Sequence, residues 1–134
     1  MAVVYSGCVR REEVDRLFLR SRKFRDASEF HASRGDFDLA VFNLEQSLQL
    51  FMKAKLLELG VDFPKIHSLR RLFRLIGEVL GRGGDFLRFE AEHALEFASL
   101  EDAYVTARYF PREFSREEAE RLRRFVEEVE RFVG

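Results

Sequence analysis

From Gly35 to Leu69 the chain reads GDFDLAVFNLEQSLQLFMKAKLLELGVDFPKIHSL, with apolar residues recurring at helical and not alternating intervals. Phe37, Val41, Leu44, Leu48, Phe51 and Leu59 are three, four or eight residues apart, so one face of a long helix is committed to a core. Gly60 then stops the helix, Pro64 stiffens the turn, and His67-Ser68 opens the next helix. A segment of this kind must bury its apolar face against another element.

The same punctuation runs along the rest of the chain, at Gly35, at Gly81 through Gly84 and at Pro111. It predicts five helices, over residues 10–34, 37–59, 68–80, 86–109 and 116–133, with the GRGG run at 81–84 as a loop between two of them. On the first, Val14, Leu17, Phe24 and His31 share a face. The fifth carries its own start signal, because Ser115 and Glu118 stand at the spacing of a capping box. Behind it, Ala119, Leu122, Phe125, Val126, Val129 and Val133 form a core stripe. Short connections favour antiparallel neighbours, so the expected fold is all-α: an antiparallel up-and-down bundle of four main helices plus a shorter fifth. The 134 residues make one domain, with 1–9 as a flexible arm.

Composition narrows the function classes. The 46% hydrophobic and 35% charged content is that of a folded globular protein. A net charge of −1 provides no global basic footprint for nucleic acid. The single cysteine, Cys8, excludes an internal disulfide and a cysteine-based zinc site, and no compact set of metal ligands is visible. No apolar stretch reaches the roughly 20 residues of a membrane span, and the opening MAVVYSGCVRREE is too short in apolar residues for a signal peptide. The expectation is a cytoplasmic protein without metal or other cofactor. Fifteen Phe and no Trp predict an aromatic-rich core, with some Phe left for a partner.

Several pieces together resemble the HEPN domain family, small all-helical bundles of prokaryotes and some eukaryotes. They are Gly35-Asp36-Phe37-Asp38 with Ala40, Glu45-Gln46, Lys53-Ala54, Gly60, Pro64-Lys65-Ile66-His67-Ser68-Leu69, and Asp102-Ala103-Tyr104-Val105-Thr106-Ala107-Arg108-Tyr109. Phe110 intervenes before Pro111, where the family commonly has the proline directly. The resemblance covers about residues 20 to 130. It implies a compact helical bundle, often a homodimer. Many such domains are encoded beside or fused to a minimal nucleotidyltransferase and are thought to supply nucleotide or substrate binding. Another branch consists of ribonucleases, toxins among them, with an Arg, four to six intervening residues and a His.

Two segments fit the ribonuclease spacing, Arg88 to His93 and Arg25 to His31. In an arginine-rich chain chance alone yields about one such match, so the pattern carries little information. Five residues along a continuous helix turn through about 140°, which sends Arg88 and His93 to different faces; Arg88 should instead face Glu92. The family's fourth-helix arginine corresponds to Arg108, and no histidine follows it.

Arg108 is the leading site candidate. On an unbroken helix it shares a side with His93, Phe97 and Tyr104, a constellation able to stack a base and hold a phosphate; the bland alternative is a helix-end arginine paired with a carboxylate. His67 has the competing roles of helix cap and anion contact. Gln46, Gln49 and Lys53 form a polar ridge whose default explanation is a solvated face; in the family setting the ridge would border a pocket shared with the fourth helix, with Lys53 reaching a phosphate. The arginines near the ends, Arg16 and Arg20 among them, alternate with acids and read as an ion-paired surface.

The functional expectation is therefore a non-catalytic nucleotide- or substrate-binding module. Arg108, Tyr104, Lys53 and His67 are its candidate contacts, and a separate minimal nucleotidyltransferase, in a toxin–antitoxin or similar two-gene system, is its expected partner. A dimeric, metal-independent ribonuclease using Arg88 and His93 is the alternative from another class, with RNA as its ligand. A structural dimerisation or adaptor domain is the third.

Overall fold

The computed structural model describes residues 7–62, 65–106 and 112–134, and these are all-helical. There are six helices: α1 (Gly7–Ser33), α2 (Phe37–Glu58), α3 (Leu69–Val79), α4 (Gly83–Glu92), α5 (Ala94–Thr106) and α6 (Arg116–Val133). The expected starts and stops of α2, α3 and α6 hold to within a residue, and the capping box between Ser115 and Glu118 is formed in both directions. At the end of α2, Gly60 adopts φ +86°, and the Val61 N–H donates to Leu56 O, the C-terminal lock that a left-handed glycine permits.

Two expectations change. The helix predicted over 86–109 is broken at His93, whose backbone (φ −120°, ψ 27°) leaves the helical range. No glycine or proline marks the break. The His93 ring instead turns back to lie on Phe89, with centroids 4.1 Å apart, and its Nδ1 sits 2.8 Å from Phe89 O. The GRGG run is also only partly a loop, since Gly83 and Gly84 form the first turn of α4. The five-helix count thus gives way to six. α1 begins at Gly7, within the stretch expected to be a flexible arm, and residues 1–6 lie outside the described residues.

α2 is the central element, packed against α1, α3, α5 and α6. Its partnership with α1 is antiparallel, because Ser28 meets Ala40, Ser21 meets Ser47 and Arg10 meets Leu57. Small side chains let the two backbones approach. Ser21 Oγ donates to Ser47 O (2.6 Å) and Ser47 Oγ returns a bond to Ser21 O (2.8 Å), so two buried hydroxyls satisfy each other's backbones.

The other side of α2 meets an apolar core in which Leu48, Met52, Phe73, Phe86, Phe97 and Leu122 are fully enclosed. Phe73 is its hub. Its ring lies 4.6 Å from Phe86, 5.5 Å from Phe89, 5.3 Å from Phe97 and 6.0 Å from Phe132, so one side chain of α3 ties together α4, α5 and α6. The antiparallel contact of α3 with α4 depends on Gly77: a Cβ there would stand 2.6 Å from the Phe86 ring.

Candidate functional site

The buried face of α2 is not wholly apolar. Glu45 is fully enclosed and Gln49, one turn later, is 5% exposed, although Gln49 belongs to the ridge that reads as a solvated face. Buried polar groups must find partners. The Glu45 carboxyl accepts from Gln46 Nε2 (2.8 Å) and Gln49 Nε2 (3.0 Å). That fixes the Gln49 amide, turning its oxygen outward to accept from Lys53 Nζ (3.0 Å) and to meet His67 Nδ1 (3.2 Å). Because the oxygen can only accept, His67 carries its proton on Nδ1, leaving Nε2 as the ring's outward atom.

His67 sits on the connection before α3, just ahead of the N-cap Ser68, whose Oγ accepts from the Arg71 N–H (3.4 Å). Its exposed ring stacks on Tyr104 near the end of α5, at 5.8 Å between centroids and 25° between planes. One turn earlier on α5, Glu101 accepts from the Arg70 backbone N–H (3.1 Å) and from Arg70 Nε (3.1 Å) and Nη2 (3.3 Å). Glu101 therefore caps α3 and pins α5 to it, and this clamp holds Tyr104 opposite His67. An adjoining forked pair, Arg74 with Glu90, ties α3 to α4.

Electrostatics follow from burial. Desolvation pushes the Glu45 carboxyl up to about 7; the bonds from Gln49 and Gln46 oppose this, Glu101 adds to it and Lys53 opposes it. Burial likewise lowers the Lys53 ammonium, against the pull of Glu45. Lys53 and the His67–Tyr104 pair thus stand beside the Gln49 amide, with the buried Glu45 carboxyl behind it. Such a set can bind a phosphate and stack a base. The amide between Glu45 and His67 aligns the two without passing a proton between them.

Of the four residues expected to bind a nucleotide, Lys53 and His67 meet at Gln49, and Tyr104 stacks on His67. The fourth, Arg108, lies outside the described residues. The shared face proposed for Arg108, His93, Phe97 and Tyr104 presupposed one helix, and the break at His93 divides it: Phe97 is buried in the core, whereas Tyr104 is at the rim. Glu45 and Glu101 were missed as site residues, and Gln49 reads in the sequence only as part of the ridge. The available signal was spacing, since Glu45 stands four residues after Val41 and four before Gln49, in step with the core face.

The pairs of the ribonuclease pattern are held elsewhere. Arg88 is exposed and pairs with Asp85 (3.6 Å), not with Glu92 as its spacing predicts. His93 is wedged between Phe89 and Phe125, with Nε2 3.4 Å from Glu128. Arg25 bridges to Glu130 (2.9 Å) and Glu127 (3.7 Å) in the seam between α1 and α6. Among the described residues no hydrogen bond or ion pair joins Arg88 to His93 or Arg25 to His31, and no group of three or more His, Cys, Asp or Glu is placed to hold a metal. Nor is any of their helices long and apolar enough to cross a membrane.

A family model described as "HEPN domain" matches residues 14–134, nearly the whole chain. No curated protein and no solved structure matches it.

Proposed function

The chain belongs to the HEPN domain family, and from that premise we propose that it is a non-catalytic nucleotide-binding module whose site is the rim formed by Lys53, His67 and Tyr104. The observation that carries the reading is the convergence of Lys53 and His67 on one buried amide, Gln49, with Tyr104 stacked on His67. Lys53 supplies a phosphate contact and the His67–Tyr104 pair a stacking surface. Arg108, four residues beyond Tyr104, completes the proposed set. In this reading the module works as a homodimer beside a separate minimal nucleotidyltransferase, in a toxin–antitoxin or similar two-gene system.

Isothermal titration of the purified protein with nucleoside triphosphates tests it. Binding is expected, and Tyr104→Ala and Lys53→Ala should each weaken it about tenfold or more. No binding by the wild type, or binding indifferent to both substitutions, rejects the site. RNA cleavage lost in Arg88→Ala and His93→Ala would replace this reading with the ribonuclease one.

A further inference from the structure

On α1, residues 16, 20, 23, 27 and 30 recur at three- and four-residue intervals and so share one face. That face carries Arg16, Arg20 and Lys23, followed by Ala27 and an exposed Phe30 (57%); Leu19 (46% exposed) borders it. Across the gap to α2, Leu39 (43% exposed) and Asn43 continue the surface. Arg16, Leu19, Arg20, Lys23, Phe24 and Asn43 line an open groove of about 370 Å³ between the two helices.

Its charges differ from those of the ion-paired arginines. Arg11, Arg25, Arg70, Arg74, Arg112 and Arg123 are each paired with carboxylates. Among the described residues Arg16, Arg20 and Lys23 have no carboxylate within 4 Å, contrary to the ion-paired surface that the alternating sequence suggests. Of the acids near them on α1, Asp15 pairs with Arg11, while Glu12 and Glu13, one turn before Arg16, and Asp26, three residues after Lys23, border the same face without an ion pair to any of the three cations and without lining the groove. Three unneutralised cations along roughly 10 Å of helix flank a row of exposed apolar groups.

We infer that this groove docks an acidic amphipathic helix of a partner protein, its apolar stripe against Leu19, Phe30 and Leu39 and its carboxylates against Arg16, Arg20 and Lys23. Two antiparallel helices offer the ridge-and-groove surface on which a third helix seats. Charge selects the occupant. A second copy of this chain in a two-fold contact would set the basic row against its own mate. Within the groove RNA would meet aliphatic Leu19, with Leu39 beside it, and only Phe30, outside the groove lining, offers an exposed stacking plane; the Asn43 amide already donates to Leu39 O (2.7 Å). The proposal stands apart from the nucleotide reading, since Lys53→Ala should leave it untouched.

The test uses the full chain and three fluorescent probes: a 20-residue helical peptide with leucines at three- and four-residue spacing flanked by glutamates, its lysine-flanked twin, and a single-stranded oligouridine. Anisotropy should show the glutamate peptide binding about tenfold or more tighter than its twin. The triple variant Arg16→Glu, Arg20→Glu, Lys23→Glu should invert that preference, a gain that misfolding cannot produce. Leu19→Asp with Phe30→Asp should abolish both. Equal binding of the two peptides, a preference that survives the triple variant, or tighter binding of the oligouridine overturns the inference. So does light scattering that shows a dimer converted to monomer by Leu19→Asp, which would make the groove a self-interface.

Discussion

Phe73→Ala is expected to lower the unfolding free energy by about 3–5 kcal/mol, as for other large-to-small changes at enclosed aromatic positions. Domains of this size have about 5–15 kcal/mol in total, so the variant should melt roughly 10 °C or more below the wild type. The reason is geometric. Phe73 touches rings from three other helices, and α3 is too short to close over the void from its own side chains. Phe30→Ala is the control: the same chemistry is removed from an exposed ring, and stability should change little. Urea denaturation followed by circular dichroism compares the two, and a Phe73→Ala loss under about 1 kcal/mol would show that the core can collapse around the cavity.

Glu45 gives the second large effect, one that depends on pH. In the folded protein its carboxyl titrates near 7, against an ordinary value of 4.5. Between those two values the native state holds a proton that the unfolded chain has released. Stability from this group is therefore full below about pH 4.5, falls as pH rises and is lost above about pH 7, a swing of about 3 kcal/mol. Glu45→Gln should flatten that slope and be more stable than the wild type at pH 8. The side chain keeps its shape, and Gln46 need only reverse its amide to accept from the new NH2 while Gln49 stays fixed by Lys53 and His67. Burial also raises Glu130, so the informative quantity is the difference between variant and wild type at each pH. Parallel curves from pH 4.5 to 8 would show that Glu45 is charged in the native state.

The helices of this protein are legible in its sequence wherever local chemistry makes the boundary. Gly60 and the Ser115–Glu118 box act within a turn of themselves, so α2 ends and α6 begins where their residues say. The break at His93 is not written locally. It arises because an imidazole finds Phe89 and Phe125, residues whose meeting depends on α6 having docked. The candidate site was legible in part for the same reason. Lys53, His67 and Tyr104 can be picked out one at a time, but Gln49, which joins Lys53 to His67, looks like any polar residue on a helix surface. Its partner His67 reaches it from 18 residues away, on the connection into α3.

The reciprocal bonds between Ser21 and Ser47 bear on the order of folding. α1 and α2 are joined by three residues, so their serines meet at the small entropic expense of a short loop, whereas α6 reaches α2 only after most of the chain has been drawn in. The helical hairpin should therefore already be present at the folding barrier. Ser47→Ala should act mainly by slowing refolding, and Val129→Ala mainly by hastening unfolding. Stopped-flow chevrons separate the two, and equal fractional effects at both sites would remove the distinction. A pair of hydroxyls that seems only to fit two helices together would then be the step on which the rest of the bundle waits.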